Sequence, residues 1–144
     1  MNRVLPLLSS LLLGVSATAQ VQYCTVTLSA ASCGPVLTAT IEPQGQSGNH
    51  YLTMFASGLH RRALGVINWG SNPISVPLPG GCNLLCDYVW GHTFQSDASG
   101  EHRWGRAWPH WAVGYFYMQM GSIEFLPGGE FTVLTTDCKL VQCF

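Results

Sequence analysis

Charged side chains are nearly missing from this sequence. Six basic and seven acidic residues in 144 leave a formal net charge of −1. So few cations exclude a basic patch for nucleic acid. No stretch carries the polybasic amphipathic pattern of a helix that lies on a membrane. A 3.6-residue apolar period of helical length is also missing, which argues against an α-helical core. Beyond the first twenty residues no apolar run is long enough to cross a bilayer as a helix, so no membrane insertion is expected of the mature chain. There is no G-x-S-x-G, no H-E-x-x-H and no phosphate loop, the local signatures of three large enzyme classes. There is no C-x-x-C, and hence no redox dithiol of that type.

What the chain does have begins with an address. Met1-Asn2-Arg3 carries one positive charge, residues 4–15 are mostly apolar, and Ala17-Thr18-Ala19 is a small-residue cleavage signature. These predict a signal peptide over 1–19 and a mature, exported chain over 20–144. Cys24 lies too far past that site for a bacterial lipid anchor to be expected. The mature part is the right size for one domain. Sixteen glycines and eight prolines among many Val, Thr and aromatic residues predict short strands and turns. Strands are expected at 36–42, 50–57, 63–69, 115–120 and 130–136. Residues 22–29 read as a strand or an extended arm, and 138–143 as an end strand or turn. Pro73, Pro77 and Pro79 make 71–81 an edge segment or loop, and Pro109 opens a possible helical turn before Gly114. The expected fold is all-β: an antiparallel β-sandwich of about seven to nine short strands, stapled by disulfides, with a β-barrel as the alternative.

The stretch 90–108 carries the densest pattern. Asp97-Ala98-Ser99-Gly100 suits a type I turn followed by a left-handed glycine. As a hairpin it pairs Asp97 with Glu101, Phe94 with Trp104, His92 with Arg106 and Trp90 with Trp108. That register gathers the large aromatics on one face, whereas a one-residue slip scatters them. The only apolar face of such a hairpin is expected to turn towards the core. Arg106 then sits between Trp104 and Trp108 and must reach the rim of that face or find partners there.

Six cysteines, all in the mature part and in an exported chain, predict three disulfides. Spacing favours local bridges, Cys24–Cys33, Cys82–Cys86 and Cys138–Cys143. The alternative ties the ends together, Cys24 or Cys33 to Cys138 or Cys143. Cys82 and Cys86 have a zinc-compatible spacing, but no second close pair stands at a finger-like distance. His92, His102 and Asp97 are the other metal candidates, and Arg106 beside them disfavours a cation. No metal and no cofactor are expected.

Several motifs together resemble a known domain. Tyr23-Cys24-Thr25 is followed by Cys33-Gly34-Pro35, and Leu64-Gly65-Val66-Ile67-Asn68-Trp69-Gly70 is close to a G-L-L-x-x-G strand. Leu78-Pro79-Gly80-Gly81-Cys82-Asn83-Leu84-Leu85 is a third motif. The fourth runs from Phe94-Gln95-Ser96-Asp97-Ala98-Ser99-Gly100-Glu101-His102-Arg103-Trp104 through Pro109 to Gly114-Tyr115-Phe116-Tyr117-Met118-Gln119. In order and spacing, residues 23–120 resemble a recurrent β-sandwich domain of secreted and cell-surface proteins in planctomycete-type bacteria. The resemblance implies fold and address. That family has no assigned activity, so it transfers no site. The chain departs from the pattern in its charge and histidine content around 90–108.

These features point to a non-enzymatic secreted or cell-surface module, structural or interacting. The alternative is a carbohydrate-binding module using Trp90, Trp104, Trp108 or Trp111, with an envelope polysaccharide or another surface protein as partner. The expected binding rim is His92, Arg106, Trp108 and Trp111. A secreted hydrolase is the distant option, since Asp97, Glu101 and Glu124 supply acids but nothing in the sequence sets their separation.

Overall fold

A computed structural model describes residues 23–31, 33–44, 49–109 and 113–144. The expected signal peptide and the possible helical turn after Pro109 lie wholly or mainly outside these residues. The described chain is all-β. Its eleven strands are β1 (Cys24–Ala30), β2 (Val36–Pro43), β3 (His50–Ser57), β4 (Leu64–Gly70), β5 (Pro73–Pro77), β6 (Asn83–Cys86), β7 (Trp90–Gln95), β8 (His102–Trp108), β9 (Gly114–Phe125), β10 (Phe131–Thr135) and β11 (Cys138–Cys143). That exceeds the expected seven to nine, because the proline-rich stretch and the cysteine corner after it also pair, as the ribbon β5–β6. The ribbon stands apart from the larger sheets, where prolines cost no central ladder bond.

The larger sheet runs β1-β11-β9-β4-β7, with β10 also on β9. β10 and β11 lie end to end along one edge of the long strand β9. The second sheet is β2-β3-β8. All the pairings are antiparallel, and neither sheet closes into a barrel. Strand alternation supplies the core between them. Leu52, Met54 and Ala56 of β3 are fully buried, and they meet Ile67, Met118, Met120 and Val141 of the larger sheet. The opposite face of the larger sheet holds buried polar groups beneath the ribbon. There Gln119 accepts from the Leu85 N–H at 2.9 Å and donates to the Asn83 and Thr136 carbonyls, tying β6 to β9.

The expected hairpin at 90–108 is not formed, although its turn is. The Asp97 N–H donates to Glu101 at 2.9 Å, the Gly100 N–H donates to Asp97 at 3.2 Å, and Gly100 has φ 79°. β7 and β8 nevertheless join different sheets: β7 pairs with β4, and β8 pairs with β3. The cause is a second crossing stacked on the first. Residues 58–63 carry the chain from β3 to β4, and 96–101 carry it from β7 to β8. The two crossings bond to each other, Leu59 N–H to Gly100 at 3.0 Å, Arg62 N–H to Asp97 at 2.9 Å and Ser96 N–H to Ala63 at 3.0 Å. A Cβ on Gly100 would lie 2.3 Å from the Leu59 carbonyl oxygen, so glycine permits this approach as well as the turn.

The disulfides differ from the preferred local pairing. Cys24 bonds Cys143, and Cys33 bonds Cys82. The first is the end-to-end alternative, formed because β1 and β11 are neighbours and Cys24 stands opposite Cys143. Cys82–Cys86 and Cys138–Cys143 are not bonded to each other. Cys82 directly precedes β6 and Cys86 ends it, Cys138 and Cys143 are the two ends of β11, and an extended strand holds its ends apart. Two disulfides fit an extracellular or otherwise oxidising environment.

Candidate functional site

With β7 and β8 in different sheets, their aromatic side chains fill the space between the sheets instead of pairing across a ladder. Phe94 is buried and stacks on His102, centroids 4.1 Å apart. Burial against that ring pushes the His102 pKa down. Trp104 meets Trp69 edge-on at 5.3 Å. Trp69 is the hub of the cluster, since Phe116 and Trp90 also touch it, at 5.3 and 5.8 Å. Trp108 packs on Phe116 at 4.7 Å.

This cluster does not fill its end of the sandwich. A cleft of about 570 Å³ opens where β4 ends, β7 begins, β8 ends and β9 begins. Trp69, Trp90, Trp104, Trp108, Tyr115 and Phe116 line it together with Arg106. Its size is that of a small-ligand site, and its lining is aromatic with few polar groups. Trp90 is 45 % exposed, so part of its ring is open to a ligand. Among the described residues, the lining holds no carboxylate and no histidine. Arg106 has no acidic partner among the described residues. Trp69 is 7 % exposed, and its indole N–H has no hydrogen-bond partner. A cation in an apolar setting suits a ligand that presents acceptors.

One wall of the cleft is held by a carboxylate. Asp87 accepts from the backbone N–H groups of Ser71 and Asn72, at 2.6 and 2.9 Å, and from both their side chains. A Cβ on Gly70 would meet the Asp87 backbone and side-chain oxygens at 2.3 Å, so only glycine allows this closure. The Asn72 backbone N–H, aided by Asn72's amide and Ser71, pulls the Asp87 pKa from 3.8 down to about 2. A carboxyl with a lowered folded-state pKa adds stability above its ordinary pKa and loses it as pH falls through the lowered one. Between pH 3.8 and about 2, the unfolding midpoint in urea is therefore expected to fall more steeply for the native protein than for Asp87→Asn. Parallel curves would remove this role for Asp87.

Of the residues expected at a binding rim, Arg106 and Trp108 line the cleft. His92 does not: it stands exposed on β7 opposite Ile67 of β4. The expected opposition of His92 and Arg106 is lost with the hairpin, since Arg106 faces Leu52 of β3. Trp111 lies outside the described residues. Trp104, Arg106 and Trp108 share a face as alternation required, but the guanidinium seated over a ring is that of Arg103, 5.6 Å from the Phe55 centroid. Trp69, Tyr115 and Phe116 were not singled out beforehand. The available signal was an aromatic at a strand end beside glycine, Trp69-Gly70 and Gly114-Tyr115-Phe116.

Two rival constellations are spoken for by the fold. Asp97, Glu101 and His102 border one surface depression, but Asp97 Oδ1 accepts the Ser99 N–H, the Ser99 hydroxyl and the Glu101 N–H, which ties the carboxylate to its own turn. The Ser122 hydroxyl lies 3.3 Å from His60 Nδ1, and His60 Nε2 lies 3.5 Å from Glu124, a serine–histidine–acid order that no local motif announced. Ser122 is fully buried, however, and its oxygen accepts the His60 backbone N–H at 3.1 Å. The group bonds the 58–63 crossing to β9 and offers no reachable nucleophile. No group of three or more metal-ligating side chains occurs among the described residues. No family model, curated protein or solved structure matches the chain.

Proposed function

We propose that this protein is a non-enzymatic, exported β-sandwich module that binds a saccharide of an extracellular or cell-envelope glycan in its aromatic cleft. One observation carries the reading: a cleft of about 570 Å³, lined by indole and phenyl rings together with Arg106. A sugar ring has an apolar face to lie on an aromatic ring and hydroxyl oxygens to accept from the Arg106 guanidinium. The leader-like residues 1–19, the disulfides and the resemblance to planctomycete-type surface domains support the address. The aromatic rings and the guanidinium that line the cleft are groups that hold a ligand, which supports a binding role.

The test is calorimetric titration of the oxidised protein with envelope polysaccharides and their oligosaccharides. Trp90→Ala is expected to weaken binding about tenfold or more, roughly 1.4 kcal/mol. Because Trp90 is half exposed, the variant should keep its melting temperature. The reading fails if no saccharide binds, or if binding survives both Trp90→Ala and Arg106→Ala. Capture of a purified surface protein through the same residues would replace the glycan with the alternative partner.

A further inference from the structure

Four cysteines are bonded, and the remaining two, Cys86 and Cys138, are thiols. They come from sequence positions that no spacing rule joins, yet the fold places them together. Cys86 ends β6 and Cys138 begins β11. Both are fully buried, and with Leu85 they form one small apolar cluster, flanked by Ala30 and Tyr117. The two side chains pack in the same cluster and are close enough to perturb each other's ionisation. The Asn68 amide reaches Cys86 Sγ at 3.5 Å, and Cys138 Sγ lies 3.9 Å from the Lys139 carbonyl oxygen. The position of the pair in the architecture also matters. The ribbon β5–β6 lies outside both large sheets, and Cys82, just before β6, is already bonded to Cys33. A bond at Cys86 would clamp the other end of β6 to β11, so both ends of the strand would be covalently held.

We infer that Cys86 and Cys138 are the site of a third disulfide, made by exchange with a disulfide oxidant, either a small molecule or a thiol–disulfide oxidoreductase. One thiolate attacks the oxidant's S–S bond, forming a mixed disulfide and releasing one thiol. The second cysteine then attacks the mixed disulfide, forming Cys86–Cys138 and releasing the other thiol. Two cysteine thiols are oxidised, one external disulfide is reduced to two thiols, and both protons end on the released thiols. The burial of both sulfurs places this step before the ribbon closes on the sheet. In the closed form neither cysteine is exposed to an external oxidant.

The experiment is peptide mapping, without reduction, of the protein exported to an oxidising compartment and alkylated in denaturant. The expected result is a peptide holding Cys86 joined to one holding Cys138, two hydrogens lighter than the separate pair, with neither cysteine alkylated. Alkylation of both, in molecules where Cys24–Cys143 and Cys33–Cys82 have formed, would overturn the inference. So would a local Cys82–Cys86 or Cys138–Cys143 bridge. A second measurement is amide exchange over 73–86 in Cys86→Ala/Cys138→Ala. Faster exchange than in the oxidised parent supports the clamp, and unchanged exchange opposes it.

Discussion

Replacing Cys24 and Cys143 together by serine is expected to lower the unfolding free energy by about 4–5 kcal/mol, the scale for a cross-link that closes a loop of order 100 residues. The two cysteines are 119 positions apart, so the bond removes much of the freedom of the unfolded chain. Its folded-state role is just as specific. β1 is an edge strand whose ladder partner is β11. The ladder continues past the bond, with Phe144 N–H donating to Tyr23 at 2.9 Å. Cys143 is also 4 % exposed and belongs to the main core cluster, so serine puts a hydroxyl where an apolar sulfur packed. Denaturant unfolding of the oxidised parent and the double variant gives the difference, and amide exchange over 24–30 should rise with it. A loss under about 1 kcal/mol, far below the chain-entropy scale, would mean that the ladder holds the ends without the bond.

The second large effect is expected at Asp137. Asp137→Ala should cost about 3–5 kcal/mol, the range for removing one partner of a buried ion pair. Asp137 lies between β10 and β11 in the larger sheet and is 6 % exposed. One carboxylate oxygen accepts the backbone N–H of Leu37, in β2 of the other sheet, at 2.5 Å. The other pairs with Lys139 at 2.5 Å. Alanine thus leaves a mostly buried ammonium without its counterion and a buried N–H without an acceptor, across the junction of the sheets. Asp137→Asn keeps an acceptor for Leu37 and loses only the charge, so its cost should be the smaller. Urea unfolding of the two variants checks the order. Equal costs would show that the hydrogen bond to β2 contributes little and the ion pair is the whole effect.

These expectations draw on different depths of information. The alternation of Leu52, Met54 and Ala56 could be read directly, because strand side chains alternate by covalent geometry whatever the partner. The Asp97–Gly100 turn could be read for the same reason: its hydrogen bonds and the positive φ of Gly100 involve residues within four positions. The hairpin inferred from that turn was another matter. A turn sets the direction of the chain, but which backbone edge each flanking strand bonds depends on what else competes for it. Here β4 and β3 compete from far along the chain, and the stacked crossings at 58–63 and 96–101 settle the contest.

The cleft has the same history. Arg106 and Trp108 were legible as a shared face, but Trp69 and Phe116 joined them only because two sheets closed over each other. The Ser122–His60–Glu124 set was invisible for the same reason. By itself the sequence determined an all-β chain, its turns, the facing of its strands and a cysteine complement suited to an oxidising compartment. Tertiary structure alone decided which strands pair, which cysteines bond, and that the aromatic stretch at 90–108 lines a cleft between sheets. Backbone geometry and side-chain alternation act over a few residues. Strand partners and disulfides are chosen by packing between segments up to 119 positions apart, and that choice is made only when the sheets meet.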